Sequence, residues 1–223
     1  MMKLNLYHYW RSSSSWRVRW AFAIKGVECN YISVDLLNGE SESPEHLARN
    51  PLGYVPVLEF AHPAAEFDHE QDLPPSSYLS ESVAIMEWAD ETFPEPGILP
   101  EDIFERAQVR SLVEIINADT QPLQNLAPQF VHSDDPDKRK LWAQHWIRNG
   151  LSAYESTVKK TATLYSFGDT LTMADLCLIP QCYNAMRYDV SLSDYPTIKR
   201  IYDAAIKTES YKRSEPSAFE PKK

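Results

Sequence analysis

Residues 9–20 read Tyr-Trp-Arg-Ser-Ser-Ser-Ser-Trp-Arg-Val-Arg-Trp (YWRSSSSWRVRW), four serines between two segments of different pattern. Before them, Leu4 to Tyr9 alternates with period two and predicts a strand. After them, Trp16, Trp20, Ala23 and Ile24 recur at helical spacing, Val18 and Phe22 add a second stripe, and Gly26 stops the helix. Ser12, Ser13 and Ser14 therefore stand at a helix N-terminus. There the first-turn N–H groups lack intrahelical partners and the dipole supplies partial positive charge. One hydroxyl caps the helix; its neighbours occupy a place suited to an anion, carboxylate or thiolate alike. A serine in that field need not be a nucleophile. By donating a hydrogen bond it lowers the pKa of a bound thiol from about 8.5 towards neutrality. A GxSxG elbow is absent, and no His/Asp pair stands at hydrolase spacing.

Outward from this turn, Tyr31–Leu36 predicts a second strand. Ser43-Pro44-Glu45 opens a short helix that ends by Asn50-Pro51, and Val55–Phe60 is a third strand. Residues 61–77 form a polar, proline-bearing loop. A short strand at Tyr78-Leu79 follows, then a helix over SESVAIMEWADETF. The order β-α-β-α-β-β-α predicts an α/β thioredoxin-like domain over residues 1–93, with parallel pairing and a final antiparallel edge. The Pro/Gly segment 94–101 is a linker. Residues 102–223 predict an all-α C-terminal domain, with helical runs near 102–126, 136–160, 173–187 and 196–208. Pro122 should kink the first run. Thr172 and Asp175 have capping-box spacing, with Leu171 and Leu176 placed as a staple, and the last ten residues predict a loose tail.

Bulk properties narrow the function. The 223 residues are 43% hydrophobic, enough for a core, and no run of 18 apolar residues or secretory pattern is present, so no membrane association is expected. A net charge of −10 disfavours nucleic acid. Three cysteines without CxxC spacing fit a reducing cytoplasm and no disulfide framework or zinc site. Cys177 and Cys182, five apart on an apolar helix, read as core. Residues 1–93 carry 14 acids against 6 bases, yet Arg11, Arg17 and Arg19 supply half of those bases. The serine run is thus a basic island on an acidic half, with Arg17 and Arg19 equally readable as a solvated helix face. His62, Asp68, His69, Glu70 and Asp72 mix metal-ligating types, but their polar loop offers no fixed scaffold, and no metal is expected.

Two further pieces join the serines. Val55-Pro56 places proline at a strand entrance, where a cis bond would turn the Val55 backbone outward to pair with an extended peptide. Glu81-Ser82 opens the next helix; Ser82 makes a second anion pocket and Glu81 suits an amino group. A receptor for a small peptide with thiol, carboxylate and ammonium results, and glutathione fits it.

RSSSSWRVRWAFAIKG, NPLGYVPVLEF, SESVAIMEWADETFP, QPLQN and GDTLTMADLCLIPQCYNAMRYDVSLSDYPTI together resemble the zeta class of glutathione transferases over nearly the whole chain. The resemblance implies a thioredoxin-like domain, an all-helical domain, a homodimer and glutathione held between the domains. It implies glutathione-dependent isomerisation of maleylacetoacetate to fumarylacetoacetate in aromatic amino acid catabolism. Alternatives are maleylpyruvate isomerisation, transfer to α-halo acids, or a non-catalytic interaction module of the same fold. By position, Ser12 is the thiolate stabiliser with Ser13 beside it, and Ser14 replaces the family cysteine. Arg11, Val55, Pro56, Glu81, Ser82, Gln121 and Asn125 fall on glutathione-binding positions. Gln121 and Asn125 are expected on the first long helix. Arg187 falls where an arginine holds the substrate carboxylate; its alternative is a surface ion pair.

Overall fold

Period-two alternation produces the first strand. In the computed structural model, which describes residues 3–61 and 76–221, β1 (Lys3–His8) buries Leu4, Leu6 and His8. The helix starts where the pattern changes: α1 (Ser13–Lys25) is capped by Ser12 and ends at Gly26, whose φ of 65° is left-handed. Glycine adopts that conformation without a Cβ penalty. Then follow β2 (Asn30–Ser33), α2 (Pro44–Arg49), β3 (Val57–Ala61), β4 (Ser76–Ser80) and α3 (Ser82–Thr92). Ser43 caps α2 and Pro44 takes its first position, as expected.

The four strands lie in the order β2-β1-β3-β4. Only β1 and β2 are parallel; β1–β3 and β3–β4 are antiparallel. The sheet is therefore less parallel than strand–helix alternation implied. Register gives the reason: Val57, which opens β3, pairs with Tyr7 near the end of β1. The chain re-enters the sheet at the end where β1 leaves it. Gly53 makes the approach with φ of 66°. A Cβ there would lie 3.0 Å from the Ser41 carbonyl oxygen.

Trp16, Trp20 and Phe22 of α1 and Ile85, Met86 and Ala89 of α3 are buried, and the two helices pack together. Fully burying one large apolar side chain contributes about 1.5–3 kcal/mol. Beside them, Lys25 Nζ lies 2.7 Å from the Asp90 carboxylate and donates to the Phe93 and Pro96 carbonyls at 2.7 and 2.9 Å. All three ammonium donors of this buried lysine are thereby used.

The chain divides into two compact units, Met1–Pro96 with Arg213–Lys223, and Gly97–Lys212. The second is helical, with α4 (Ile103–Asn117), α5 (Gln121–Gln124), α6 (Leu126–His132), α7 (Pro136–Val158), α8 (Met173–Arg187) and α9 (Pro196–Ala205). The expected single run over 102–126 is broken. The Thr120 hydroxyl donates to the Ile115 carbonyl at 2.6 Å, and Pro122, lacking an N–H, falls in the first turn of a new helix. α8 is buried from Met173 to Cys182, so both cysteines are core. At its start the Asp175 carboxylate accepts the Thr172 N–H, the Thr172 hydroxyl and the Ser166 N–H at 2.9, 3.1 and 2.8 Å.

The C-terminus corrects the expected loose tail. After α10 (Glu209–Ser214) comes a 3₁₀ turn, Pro216–Phe219. Ser214 and Pro216 are buried, and Phe219 packs edge-on against Tyr31 at 4.8 Å. A buried serine and an aromatic ring outweigh the breaking tendency of the flanking prolines.

Candidate functional site

Four residues, Tyr9 to Ser12, connect β1 to α1. Ser12 is extended (φ −65°, ψ 122°), and its hydroxyl accepts the Ser15 N–H at 3.2 Å. A hydroxyl that accepts still has its own proton to donate. The Ser12 N–H is held by the Tyr9 carbonyl at 3.1 Å, and the Ser15 hydroxyl accepts the Tyr9 N–H at 3.4 Å. Ser13 and Ser15 are buried, whereas Ser12 and Ser14 are half-buried. No acidic residue stands in the first turn of α1, so its positive end is not neutralised there.

Val55-Pro56 and Glu81-Ser82 meet this loop at one end of the sheet. Val57 pairs with both Tyr7 and Ser80. The end of β1, the start of β3 and the end of β4 are thus adjacent, and the three candidate stretches emerge side by side. Val55–Pro56 is cis. The preceding turn is clamped: His46 Nε2 and Asn50 Nδ2 hold the Tyr54 carbonyl at 3.0 and 3.1 Å, and Asn50 Oδ1 accepts the Leu52 N–H at 3.2 Å. Glu81 is exposed with φ of 71°, and Ser82, buried, is the first residue of α3. A non-glycine residue in that region costs about 1–3 kcal/mol and marks functional positions.

The basic island is not a solvated face. Arg17 and Arg19 are 0% and 1% exposed. Arg17 Nη1 donates to the Ser82 hydroxyl at 3.2 Å, tying the starts of α1 and α3 together. Arg11 stays half-buried, donating to the Tyr9 hydroxyl at 3.2 Å with its guanidinium 5.0 Å from the Trp10 ring. Arg17 was absent from the sequence-derived site. Its type and position in the run were visible, but its partner lies 65 residues away.

In the helical unit, Gln121 opens α5 and is half-buried; Asn125 is exposed between α5 and α6. Both therefore lie beyond the first long helix, not on it, because that helix stops at Asn117. Arg187 is the exposed last residue of α8. Its Nη1 donates to Asn184 Oδ1 at 3.2 Å, and among the described residues no carboxylate pairs with it. The surface ion pair considered from sequence is thus not seen among the described residues. Glutamines link these elements, Gln124, Gln129 and Gln181 buried and Gln144 half-buried. Gln124 and Gln181 exchange hydrogen bonds at 3.0 and 2.8 Å, Gln129 reaches the Tyr188 hydroxyl at 2.8 Å, and Gln144 holds the Tyr188 carbonyl at 2.7 Å. The α5–α6 turn and the end of α8 are positioned together, a support that no spacing in the sequence announced.

Among the described residues no group of three or more His, Cys, Asp or Glu is placed to hold a metal. The mixed loop residues His62, Asp68, His69, Glu70 and Asp72 lie outside the described residues.

Residues 2–91 match the family described as Glutathione S-transferase, N-terminal domain, and residues 122–210 match Glutathione S-transferase, C-terminal domain. The chain is 40% identical to "Probable maleylacetoacetate isomerase 2" of Drosophila melanogaster, over 95% of this chain and 87% of the relative. Two crystal structures of maleylacetoacetate isomerase from Anaeromyxobacter dehalogenans 2CP-1 share 41% identity and a TM-score of 0.84. They cover 97% of this chain and 96% and 95% of theirs; one holds glutathione, the other dicarboxyethyl glutathione and citrate, in the active site. A holo structure of a bacterial zeta-class maleyl pyruvate isomerase is 34% identical with a TM-score of 0.83, over 96% of this chain and 97% of that one.

Proposed function

The chain belongs to the glutathione transferase family, in its zeta class, and from that premise we propose that it isomerises maleylacetoacetate to fumarylacetoacetate with glutathione. The supporting observation is the end of the sheet where the acid-free start of α1, the Val55–Pro56 turn and the Arg17–Ser82 pair stand side by side. Those residues fit the tripeptide: hydroxyls at a positive helix end for the sulfur, backbone at Val55 for the peptide, and Glu81-Ser82 for the γ-glutamyl end. Pro56, Arg11, Gln121 and Asn125 complete the proposed binding residues.

When bound, glutathione supplies a thiolate that adds to the cis double bond, permits rotation about it, and is eliminated to leave the trans diacid. The Ser12 hydroxyl donates its proton towards the sulfur while its lone pair keeps capping α1, so the charged sulfur is favoured over the thiol. Ser13 and Ser14 extend the same helix end; Ser14 hydrogen-bonds where the family cysteine could also react. Arg187, with no carboxylate pairing among the described residues, binds a substrate carboxylate and opposes charge developing on the neighbouring oxygen.

Ser12→Ala tests this reading. Losing a donor aimed at developing charge costs about 2.7–4 kcal/mol, so kcat should fall about 10²–10³-fold. Near-parental turnover of a cis diacid in the folded variant rejects the assignment. Maleylpyruvate is the second substrate to assay, because a maleyl pyruvate isomerase is also structurally similar. We also infer a homodimer in the cytoplasm. Three free cysteines support the reducing compartment, and exposed Leu52, Tyr54 and Tyr78 on the first unit support association. A monomer in sedimentation at working concentration would refute the dimer.

A further inference from the structure

Arg19 is fully enclosed, and its donors go to neutral acceptors. Nε donates to the Ser214 carbonyl at 3.2 Å, and Nη2 to the Trp10 carbonyl at 2.9 Å. Nη1 reaches the Tyr9 carbonyl at 3.3 Å and His8 Nδ1 at 3.1 Å. The same Tyr9 carbonyl accepts the Ser12 N–H at 3.1 Å. One oxygen thus joins the guanidinium to the backbone of the proposed thiolate stabiliser.

The seal over this cation comes from the other end of the chain. The Phe219 ring covers the guanidinium at 4.5 Å and meets His8 edge-on at 5.4 Å. Trp16 Nε1 donates to the Ser214 hydroxyl at 3.2 Å, so Ser214 is held through both its backbone and its side chain. Burial lowers the Arg19 pKa to about 9, and burial together with Arg19 holds His8 neutral, down to about 3. Among the described residues no counter-ion faces the guanidinium, and enclosing a cation in that way costs several kcal/mol, which apolar packing would avoid. What the guanidinium offers in return is a planar fork able to hold several carbonyls in one arrangement.

We propose that Arg19, sealed by the C-terminal segment Glu215–Glu220, is a positioning residue for Ser12, fixing the Tyr9 and Trp10 carbonyls and hence the hydroxyl that faces the glutathione sulfur. The proposal rests on the role given to Ser12 above. It makes Glu215–Glu220 a support of the thiolate site rather than a set of glutathione-binding residues. Loosening the seal admits water to the guanidinium and frees the Tyr9–Ser12 loop. The sulfur then ionises less readily, while the diacid-binding cation is untouched.

The test titrates glutathione bound to the full-length protein by thiolate ultraviolet absorbance, alongside steady-state kinetics with a cis diacid. Phe219→Ala should raise the bound sulfur pKa by about one unit and lower kcat at neutral pH up to about tenfold. KM for the diacid should stay unchanged, and Phe219→Leu, which keeps an apolar cover, should restore parental values. Arg19→Lys should shift the sulfur in the same direction; should it fail to fold, the Phe219 pair still decides. A bound sulfur pKa equal in Phe219→Ala and the parent overturns the proposal. A parent protein in which the bound sulfur titrates as in free glutathione overturns the Ser12 assignment instead, a distinguishable result.

Discussion

Four adjacent serines occupy different environments because each helical step turns a side chain by about 100°. Ser12 caps, Ser13 is buried, Ser14 is half-buried, and Ser15 accepts a strand N–H. Local rules place the cap and the Gly26 stop, since each depends on a few neighbouring residues. Arg17 and Arg19 escape those rules. Whether an arginine is buried depends on what meets it, and this includes the Ser82 hydroxyl for Arg17 and the Ser214 carbonyl and Phe219 ring for Arg19. Arg187 is the residue whose role is most open to test. Removing a charge-assisted hydrogen bond costs about 1.5–3 kcal/mol, so Arg187→Ala should raise KM for the cis diacid about tenfold or more at saturating glutathione. An unchanged KM would assign the carboxylate to another cation.

Helices in the second unit show where period-based reading stops. Apolar spacing continues past Asn117, yet the chain breaks at Thr120, whose side chain fills the space beside Gly150 of α7. A Cβ at Gly150 would lie 1.9 Å from Thr120 Oγ1. Helix propensity alone favours Gly150→Ala by about 1 kcal/mol. The contact predicts the opposite sign, a loss of about 1–3 kcal/mol from overpacking. Urea unfolding of that variant decides between them, and a stabilised Gly150→Ala would refute the close approach. The same break displaces Gln121 and Asn125 from the helix expected to carry them. By contrast, the Thr172–Asp175 cap was legible because both partners lie within one turn.

At the scale of the whole molecule, His8 couples folding to pH. Its pKa is depressed from 6.5 to about 3, by burial first and by Arg19 second. Between those values the unfolded chain binds more protons than the folded one, so stability is lost as pH falls below 6.5 towards 3. The slope from this one group reaches at most about 1.4 kcal/mol per pH unit. His8→Gln, which keeps an acceptor for Arg19, should unfold in urea with a flatter acid-side dependence than the parent. Parallel profiles would show that His8 is not the group responsible. Composition and periodicity by themselves determined a thioredoxin-like segment followed by helices, and a helix start that invites a thiolate, because these follow from contacts between near neighbours in the chain. Only the tertiary structure decided that β3 runs antiparallel to β1, that two arginines are enclosed, and that Phe219 closes over one of them. Each of those depends on partners far apart in sequence, whose meeting is set by the packing of the whole chain and not by any local pattern.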